Sequence, residues 1–158
     1  MDRPAELSEA MIEKMRAIGL RLDRAGTFWH QGAPVTHPRL RQALLRWLDV
    51  LDDGRNVVRL DDKRYAYVEI DDAHLRALGA RWDGERCLVH WDDDTSAELD
   101  YASLRQAADH ALYVQARGRL CGRIAGPAYH AVTERVVEVD GGFALDAAGQ
   151  RWPIAGAA

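Results

Sequence analysis

The sequence predicts an α+β fold of two repeated β-α-β(β) units, each with a small antiparallel sheet packed on a helix. A strongly amphipathic segment followed by two clear strands predicts the first unit. The same order of elements returns more faintly in the second half, and a short Gly/Pro pattern precedes both helical segments, at residues 32–37 and 126–130. We therefore predict an N-terminal helix and link at 1–24, a first unit at 25–80 and a second unit at 81–158, together one compact structural unit.

The first half contains the clearest elements. The first helix is expected to begin after Ser8 and to end at Gly19. Residues 26–35 carry two aromatic residues between glycines and a proline, which is typical of an edge strand or a hairpin. Thr36 or His37 then caps a second helix, and Pro38 lies in its first turn.

Apolar residues at helical spacing predict that this second helix is the main core helix. These residues are Leu40, Leu44, Trp47, Leu48 and Leu51. After a turn at 52–54, two strands at 56–60 and 65–70 are expected to form a hairpin.

The second half is predicted with less detail. A strand at 86–91 precedes an acidic stretch ending at Asp100, which is expected to be solvated, and a weak helix is expected at 101–108. An extended segment at 118–124 leads to a helix that begins at the Gly126-Pro127 break. Short strands are expected at 136–139, 143–145 and 152–154.

Composition and charge limit the classes of function. The 158 residues are 47% hydrophobic and 29% charged, as in ordinary globular domains. The net charge of −4 argues against nucleic acid as a partner, because phosphate binding needs clustered Lys and Arg. No apolar run is long enough to cross a bilayer, so we expect no membrane segment. Cys87 and Cys121 form no Cys-x-x-Cys pair, which favours reduced thiols and a cytoplasmic location.

Four groups of residues, taken in chain order, carry a family resemblance. The first is Trp29, Gly32, Pro34 and Val35, in a Trp-x-x-Gly-x-Pro-Ile-like opening. The others are the acidic segment 68–73, the Pro-x-Tyr element of Pro127 and Tyr129, and the terminal segment 149–154 with its aromatic-Pro pair. In this order they resemble the motifs of the bacterial family catalogued as domain of unknown function 1285. His37 departs from that family, which tends to have Arg there, and His74-Leu75 replaces its usual Pro-Phe. The resemblance implies two repeated α+β motifs, no established reaction and a suggested part in signal transduction.

Two histidines favour an anion site in the first unit. His30 and His37 flank the Gly/Pro turn before the second helix, where free backbone amides and the positive end of the helix dipole can hold a phosphate or carboxylate. The alternative is a structural role for both residues: His37 caps the helix, and His30 is a surface residue of an edge strand. If both units share a cleft, the predicted ligand-binding residues are Trp29, His30, His37, Arg123, Tyr129 and His130.

An arginine-rich run in the second half suggests a further anion clamp. Arg117, Arg119 and Arg123 alternate around Cys121, so their side chains would share one face of a strand. The alternative is an exposed strand whose charges offset the acidic stretch.

An enzymatic alternative is also open. His90, Asp92 and Asp94 alternate along the chain and would project from one face of a strand, as ligands of a metal that activates water for hydrolysis. The alternative interpretation of the same residues is structural: they form a solvated acidic turn.

Weighing these patterns, we predict an intracellular binding module for a small anionic ligand or a protein partner, with a signalling or regulatory role and without catalytic residues or a cofactor. The alternative function is a metal-dependent hydrolytic enzyme that uses His90, Asp92 and Asp94. Nucleotide-binding loops and the zinc-protease and serine-hydrolase motifs are absent from the sequence.

Overall fold

The computed structural model describes residues 9–156. They form two compact units, one ending at Asp72 and the other beginning at Ala73. The sequence placed this division after residue 80, which lies inside a nine-residue strand, Leu75–Asp83. The predicted α+β class with a repeated sheet unit is confirmed, since two six-stranded sheets recur along the chain and a three-stranded sheet follows them. None of the helices between residues 9 and 156 has the length and apolarity that a bilayer crossing requires.

The first unit contains one sheet and two helices. Its elements are α1 (Glu9–Arg16), β1 (Leu20–Leu22), β2 (Phe28–His30), β3 (Ala33–Pro34), α2 (Pro38–Trp47), β4 (Leu48–Val50), β5 (Asn56–Arg59) and β6 (Tyr65–Ile70). The strand order is β3-β2-β1-β6-β5-β4. Neighbouring strands are antiparallel except for the central pair, β1 and β6, which is parallel.

The second unit begins with a sheet of the same design. Its elements are β7 (Leu75–Asp83), β8 (Arg86–Trp91), β9 (Ser96–Glu98), a 3-10 helix (Tyr101–Ser103), β10 (Arg105–Gln106), β11 (Leu112–Gln115) and β12 (Cys121–Ile124). The strand order is β10-β11-β12-β7-β8-β9, and again only the central pair, β12 and β7, is parallel. When each sheet is numbered from its own first strand, both have the order 3-2-1-6-5-4.

The final elements of the second unit have no counterpart in the first sheet unit. They are α3 (Gly126–Thr133), β13 (Val136–Val139), β14 (Gly142–Ala147) and β15 (Gln150–Ile154), and the three strands form an antiparallel meander. In the shared topology, α2 occupies the connection between the third and fourth strands, where the second sheet has only the 3-10 helix. The sequence echo therefore matched α2 with α3, which are not topologically equivalent.

The local predictions for the first unit are largely confirmed. β2 and β3 form the expected hairpin, the strands at 56–60 and 65–70 are present as β5 and β6, and His37 is the N-cap of α2. The predicted cap at Ser8 lies outside the described residues. The description of α2 as the main core helix is wrong, because Leu45 is its only buried residue, whereas Leu40 is 45% and Trp47 37% exposed.

The core of the first unit lies on its sheet instead. Fully buried side chains come from β1, β2 and β5, namely Leu22, Phe28 and Val57. α2 adds Leu45, and Leu48 is buried just beyond the helix, where the backbone turns to extended geometry and begins β4.

The predicted helix at 101–108 is wrong. One 3-10 turn forms and the chain then enters β10, because Tyr101 is drawn into the core: its hydroxyl accepts a hydrogen bond from the Cys87 amide at 3.0 Å and donates one to Glu98 at 2.7 Å. Strands β7, β9, β10 and β11 were not predicted; β9 lies in the acidic stretch and β10 in the segment expected to be helical. Strands β8, β12, β13, β14 and β15 lie within the predicted segments or extend them by a few residues.

Candidate functional site

A row of arginines crosses one face of the second sheet. Arg105 on β10 is paired with Tyr113 on β11, Tyr113 with Arg123 on β12, and Arg123 with Arg76 on β7. Directly opposed residues of neighbouring strands project from the same face. The guanidinium groups of Arg105 and Arg123 lie 4.7 Å and 5.6 Å from the centroid of the Tyr113 ring, so this tyrosine is flanked by two cations.

Carboxylates neutralise two members of this row. Arg76 Nε donates to Asp92 Oδ2 at 2.6 Å, and Asp92 Oδ1 accepts from the Arg76 amide. Arg123 donates to Asp109 Oδ2 at 2.8 Å and to the Tyr113 hydroxyl at 2.6 Å. Arg105, at the outer end, forms no ion pair with a carboxylate among residues 9–156.

The acidic stretch is partly buried, contrary to the expectation that it is solvated. Asp92 is 6% exposed and Asp93 is fully buried. Asp93 accepts from Arg117 Nε at 2.7 Å and from the amide of Thr95 at 3.1 Å. Two buried carboxylates thus compensate Arg76 and Arg117, which leaves neither aspartate facing solvent as an open ligand.

The three residues of the proposed metal site do not converge. His90 Nε2 lies 3.3 Å from Asp94 Oδ1, and its Nδ1 lies 2.9 Å from Ser96 Oγ. The chain turns after β8, so Asp92 faces Arg76 instead of His90. Between residues 9 and 156, no group of three His, Cys, Asp or Glu side chains is placed to hold a metal ion. The arrangement gives the hydrolytic alternative no support.

His74 is the buried histidine of this unit. It is 8% exposed, and its Nδ1 accepts a hydrogen bond from the Cys121 amide at 2.9 Å. Burial, with the nearby charges of Arg76 and Arg117, lowers the pKa of His74 to about 4. The imidazole is therefore neutral near pH 7 and acts as an acceptor that fixes the start of β12.

A cavity of about 440 Å³ in the second unit is the best-formed candidate for a ligand site. We call it the Tyr129 cavity. Its lining comes from α3, from the three-stranded sheet, and from β10 and β11: Gln106, Leu112, Tyr129, Thr133, Val136, Glu138, Gly141, Gly142, Phe143, Ile154 and Gly156. Phe143 is 50% exposed, although large apolar side chains are normally covered.

Tyr129 also lines a second, smaller cavity of about 200 Å³. Arg123 and the first residue of α3, Gly126, contribute to the same wall. Of the six residues predicted from sequence, Arg123 and Tyr129 thus share one cavity. His130 is exposed, and its ring centroid lies 6.0 Å from that of Tyr129.

Two solved structures are similar to this chain. A DUF1285 family protein from Silicibacter pomeroyi DSS-3 is 21% identical, with a TM-score of 0.72 over 87% of this chain and 79% of that protein. A second, from Shewanella baltica OS155, is 15% identical, with a TM-score of 0.60 over 73% of this chain and 90% of that protein.

The chain has the DUF1285 fold. The family resemblance inferred from the sequence motifs is therefore confirmed at the level of the fold. The sequence itself matches no family model and no curated protein. DUF1285 denotes a domain of unknown function, so the likeness leaves the activity of this chain to be argued from its own residues.

Within this DUF1285 fold, two of the three predicted site residues of the first unit form hydrogen bonds within the protein. Trp29 Nε1 donates to Asp23 Oδ2 at 2.9 Å. His37 Nδ1 accepts from the Leu40 amide at 3.3 Å, which is the capping role weighed as the alternative to ligand binding. His30 is exposed at the end of β2. Their joint role with the second unit stays a prediction.

The residues that sequence analysis missed are those brought together by strand register. Arg105 sits beside Tyr113 because β10 pairs with β11, and Phe143 reaches the Tyr129 cavity from β14. The sequence carried one signal for the cavity, the Pro127 and Tyr129 motif of the family resemblance. Arg105 had no such signal, since long-range pairing is not visible in a single sequence.

Proposed function

We propose that this protein is a non-enzymatic ligand-binding module and that a small, mostly apolar molecule occupies the Tyr129 cavity. The cavity itself carries the proposal. Its volume of about 440 Å³ lies within the range of small-molecule sites, which is roughly 300–1,000 Å³. Its walls combine apolar side chains with a few polar groups, the usual composition of such sites.

The apolar walls supply the main attraction. Leu112, Val136, Phe143 and Ile154 offer side-chain surface, and Phe143 would lose much of its exposed area when a ligand covers it. Each Å² of apolar surface removed from water contributes roughly 25 cal/mol. A flat aromatic or branched aliphatic ligand suits this lining.

The polar groups favour a ligand that donates hydrogen bonds. The Glu138 carboxylate and the Gln106 amide line the cavity together with Tyr129. A carboxylate repels anions, so a neutral or cationic ligand is favoured here. This cavity therefore does not suit the small anionic ligand predicted from the sequence.

The surrounding charges favour binding over catalysis. Catalytic acids and bases need accessible groups with suitably placed partners. In this unit Asp92, Asp93 and Asp109 are held by arginines, and the pKa of the buried Cys87 thiol is raised by burial to about 11. A change in the affinity for a cytoplasmic partner upon ligand binding would give the protein a signalling or regulatory role.

Thermal denaturation with a panel of uncharged aromatic fragments, such as indole and p-cresol, tests this function. A ligand that binds only the folded state raises the melting temperature by mass action. We expect hits in the wild-type protein and their loss in Gly142→Leu, which fills the cavity. A Cβ atom at Gly142 meets no atom within 4 Å, so the backbone position accepts a side chain.

Gly79→Leu is the matched control. Gly79 also has no atom within 4 Å of an added Cβ, but it lies on β7 outside the Tyr129 cavity. The fragments should stabilise this variant as they stabilise the wild type. The proposal fails if no fragment shifts the melting temperature, or if Gly142→Leu retains the shifts.

A further inference from the structure

A cleft of about 330 Å³ lies beside the outer end of the arginine row. We call it the Arg105 cleft. Its lining residues come from the 3-10 helix, β10, β11 and the segment entering β12: Ser103, Arg105, Val114, Gln115, Arg119, Leu120 and Cys121. It has a different lining from the Tyr129 cavity, so the two are separate sites.

The guanidinium of Arg105 is held in place, and no carboxylate of residues 9–156 forms an ion pair with it. Its Cζ atom lies over the Tyr113 ring, and Nη2 donates to Cys121 Sγ at 3.8 Å. A guanidinium has five N–H donors, so this weak contact to sulfur leaves donors for a ligand. Stacking on an aromatic ring reduces the side-chain entropy that binding would otherwise cost.

The charge of the cleft is positive in a protein that is negative overall. Arg105 and Arg119 line it, and its described lining residues include no Asp or Glu. The whole chain carries a formal charge of −4. The neighbouring arginines, Arg123 and Arg117, are already compensated by Asp109 and Asp93. An anion therefore gains most at Arg105, and Arg119 adds a second positive charge to the lining of the cleft.

The polar side chains at the rim of the cleft form hydrogen bonds within the protein. Ser103 Oγ donates to the Asp100 carbonyl at 2.9 Å and accepts from the Gln115 amide at 2.8 Å. The side-chain amide of Gln115 donates to the Gly118 carbonyl at 2.8 Å. These bonds fix the walls, and recognition of a ligand falls to the two guanidinium groups.

We propose that the Arg105 cleft binds the phosphate group of a small phosphate monoester. Planar guanidinium groups match the oxygens of phosphate and can bind them through two parallel hydrogen bonds. Both arginines are largely exposed, so the interaction with inorganic phosphate alone is weak. This proposal does not rest on the Tyr129 cavity.

Alkylation of Cys121 provides a built-in reporter of the charge in the cleft. Cys121 is half-buried and lines the cleft, whereas Cys87 is buried and its pKa is raised by burial to about 11, which disfavours the reactive thiolate. The rates of alkylation by iodoacetate, an anion, and by iodoacetamide, its neutral analogue, are measured at constant ionic strength. Relative to a free thiol, we expect iodoacetate to be favoured about five-fold, the factor for one charge pair about 4 Å apart in water. Phenyl phosphate should slow both reactions.

Substitutions assign the effect to the two arginines. Arg105→Gln and Arg119→Gln should each reduce the preference for iodoacetate and weaken protection by phenyl phosphate. Arg81→Gln, an exposed arginine on β7 outside the cleft, should change neither. Cys121→Ser should abolish labelling, and circular dichroism checks that each variant is folded.

Three results would overturn the proposal. The first is a preference for iodoacetate no greater than that of a free thiol. The second is a preference that persists when both arginines are replaced. The third is equal protection by phenyl phosphate and benzoate, which would show that any anion suffices. Gly142→Leu should leave all these alkylation rates unchanged. A failure of this proposal can therefore be distinguished from a failure of the proposal for the Tyr129 cavity.

Discussion

At position 122, a neighbouring side chain leaves no room for any residue larger than glycine. Gly122 lies on β12, where the indole ring of Trp91 packs directly against the backbone. A Cβ atom added to Gly122 would lie 2.3 Å from Cη2 of Trp91, far inside van der Waals contact. Trp91 is 4% exposed and has little freedom to move away.

We predict that Gly122→Ala lowers the free energy of unfolding by about 3 kcal/mol, at the upper end of the overpacking range. Denaturation by urea measures the change. Gly79→Ala is the control, because an added Cβ there meets no atom within 4 Å and should change the stability by less than about 1 kcal/mol. Equal stability of the two variants would contradict the close approach of Trp91.

At the scale of elements, the second sheet is expected to be most stable at its centre. The parallel strands β7 and β12 contribute the fully buried Leu75 and Ile124, whereas all three residues of the edge strand β9 are exposed. Local opening requires the least free energy where few apolar contacts are broken.

We predict that amides of β12 exchange with solvent at least about 100-fold more slowly than those of β9, as measured by native-state hydrogen exchange. Strand β8 is the internal control, because it has a neighbour on both sides and carries the buried Cys87 and Val89. It should exchange at rates close to those of β12. Slow exchange throughout β9 would show that the edge is protected by contacts outside this sheet.

Elements with a strong local signal could be predicted from the sequence. The cap at His37 and the hairpin of β5 and β6 depend on residues close together in the chain. Strand β7 could not, because Arg76, Gly79 and Arg81 interrupt its apolar pattern. The helix expected at 101–108 was wrong because the tertiary contacts of Tyr101 outweigh local helix propensity.

At the scale of the whole molecule, the repeat is one of topology. Both six-stranded sheets follow the order 3-2-1-6-5-4 with a parallel pair at the centre. The Gly/Pro pattern that precedes both α2 and α3 indicated a duplication, but it matched two helices that are not equivalent. A Gly/Pro turn can precede any helix, so the pattern does not identify equivalent ones. Of the predicted ligand residues, Arg123 and Tyr129 share a cavity, whereas the Arg105 cleft depends on strand pairing that no local pattern encodes.

The dependence of stability on pH has two separable origins in this molecule. Burial lowers the pKa of His74 from 6.5 to about 4, so the folded state loses stability as the pH falls from 6.5 toward 4, where only the unfolded chain is protonated. Hydrogen bonds from Arg64 lower the pKa of the exposed Asp61 to about 2, and Arg151 lowers that of Asp146. These carboxylates stabilise the fold above about pH 4, and their contribution is lost as the pH falls further.

Salt distinguishes the two contributions, since it screens exposed charge pairs but leaves the burial of an imidazole unchanged. We predict a loss of about 2–3 kcal/mol between about pH 7 and pH 4.5 in urea unfolding, similar at about 0.05 M and 1 M NaCl. Below about pH 4, the further loss should be smaller at high salt. His74→Asn, which keeps an acceptor for the Cys121 amide, should remove the first loss and retain the second. The prediction is contradicted if the loss of stability above pH 4.5 disappears in 1 M NaCl or persists in His74→Asn. In either case surface charge, and not the buried imidazole, determines the loss of stability in acid.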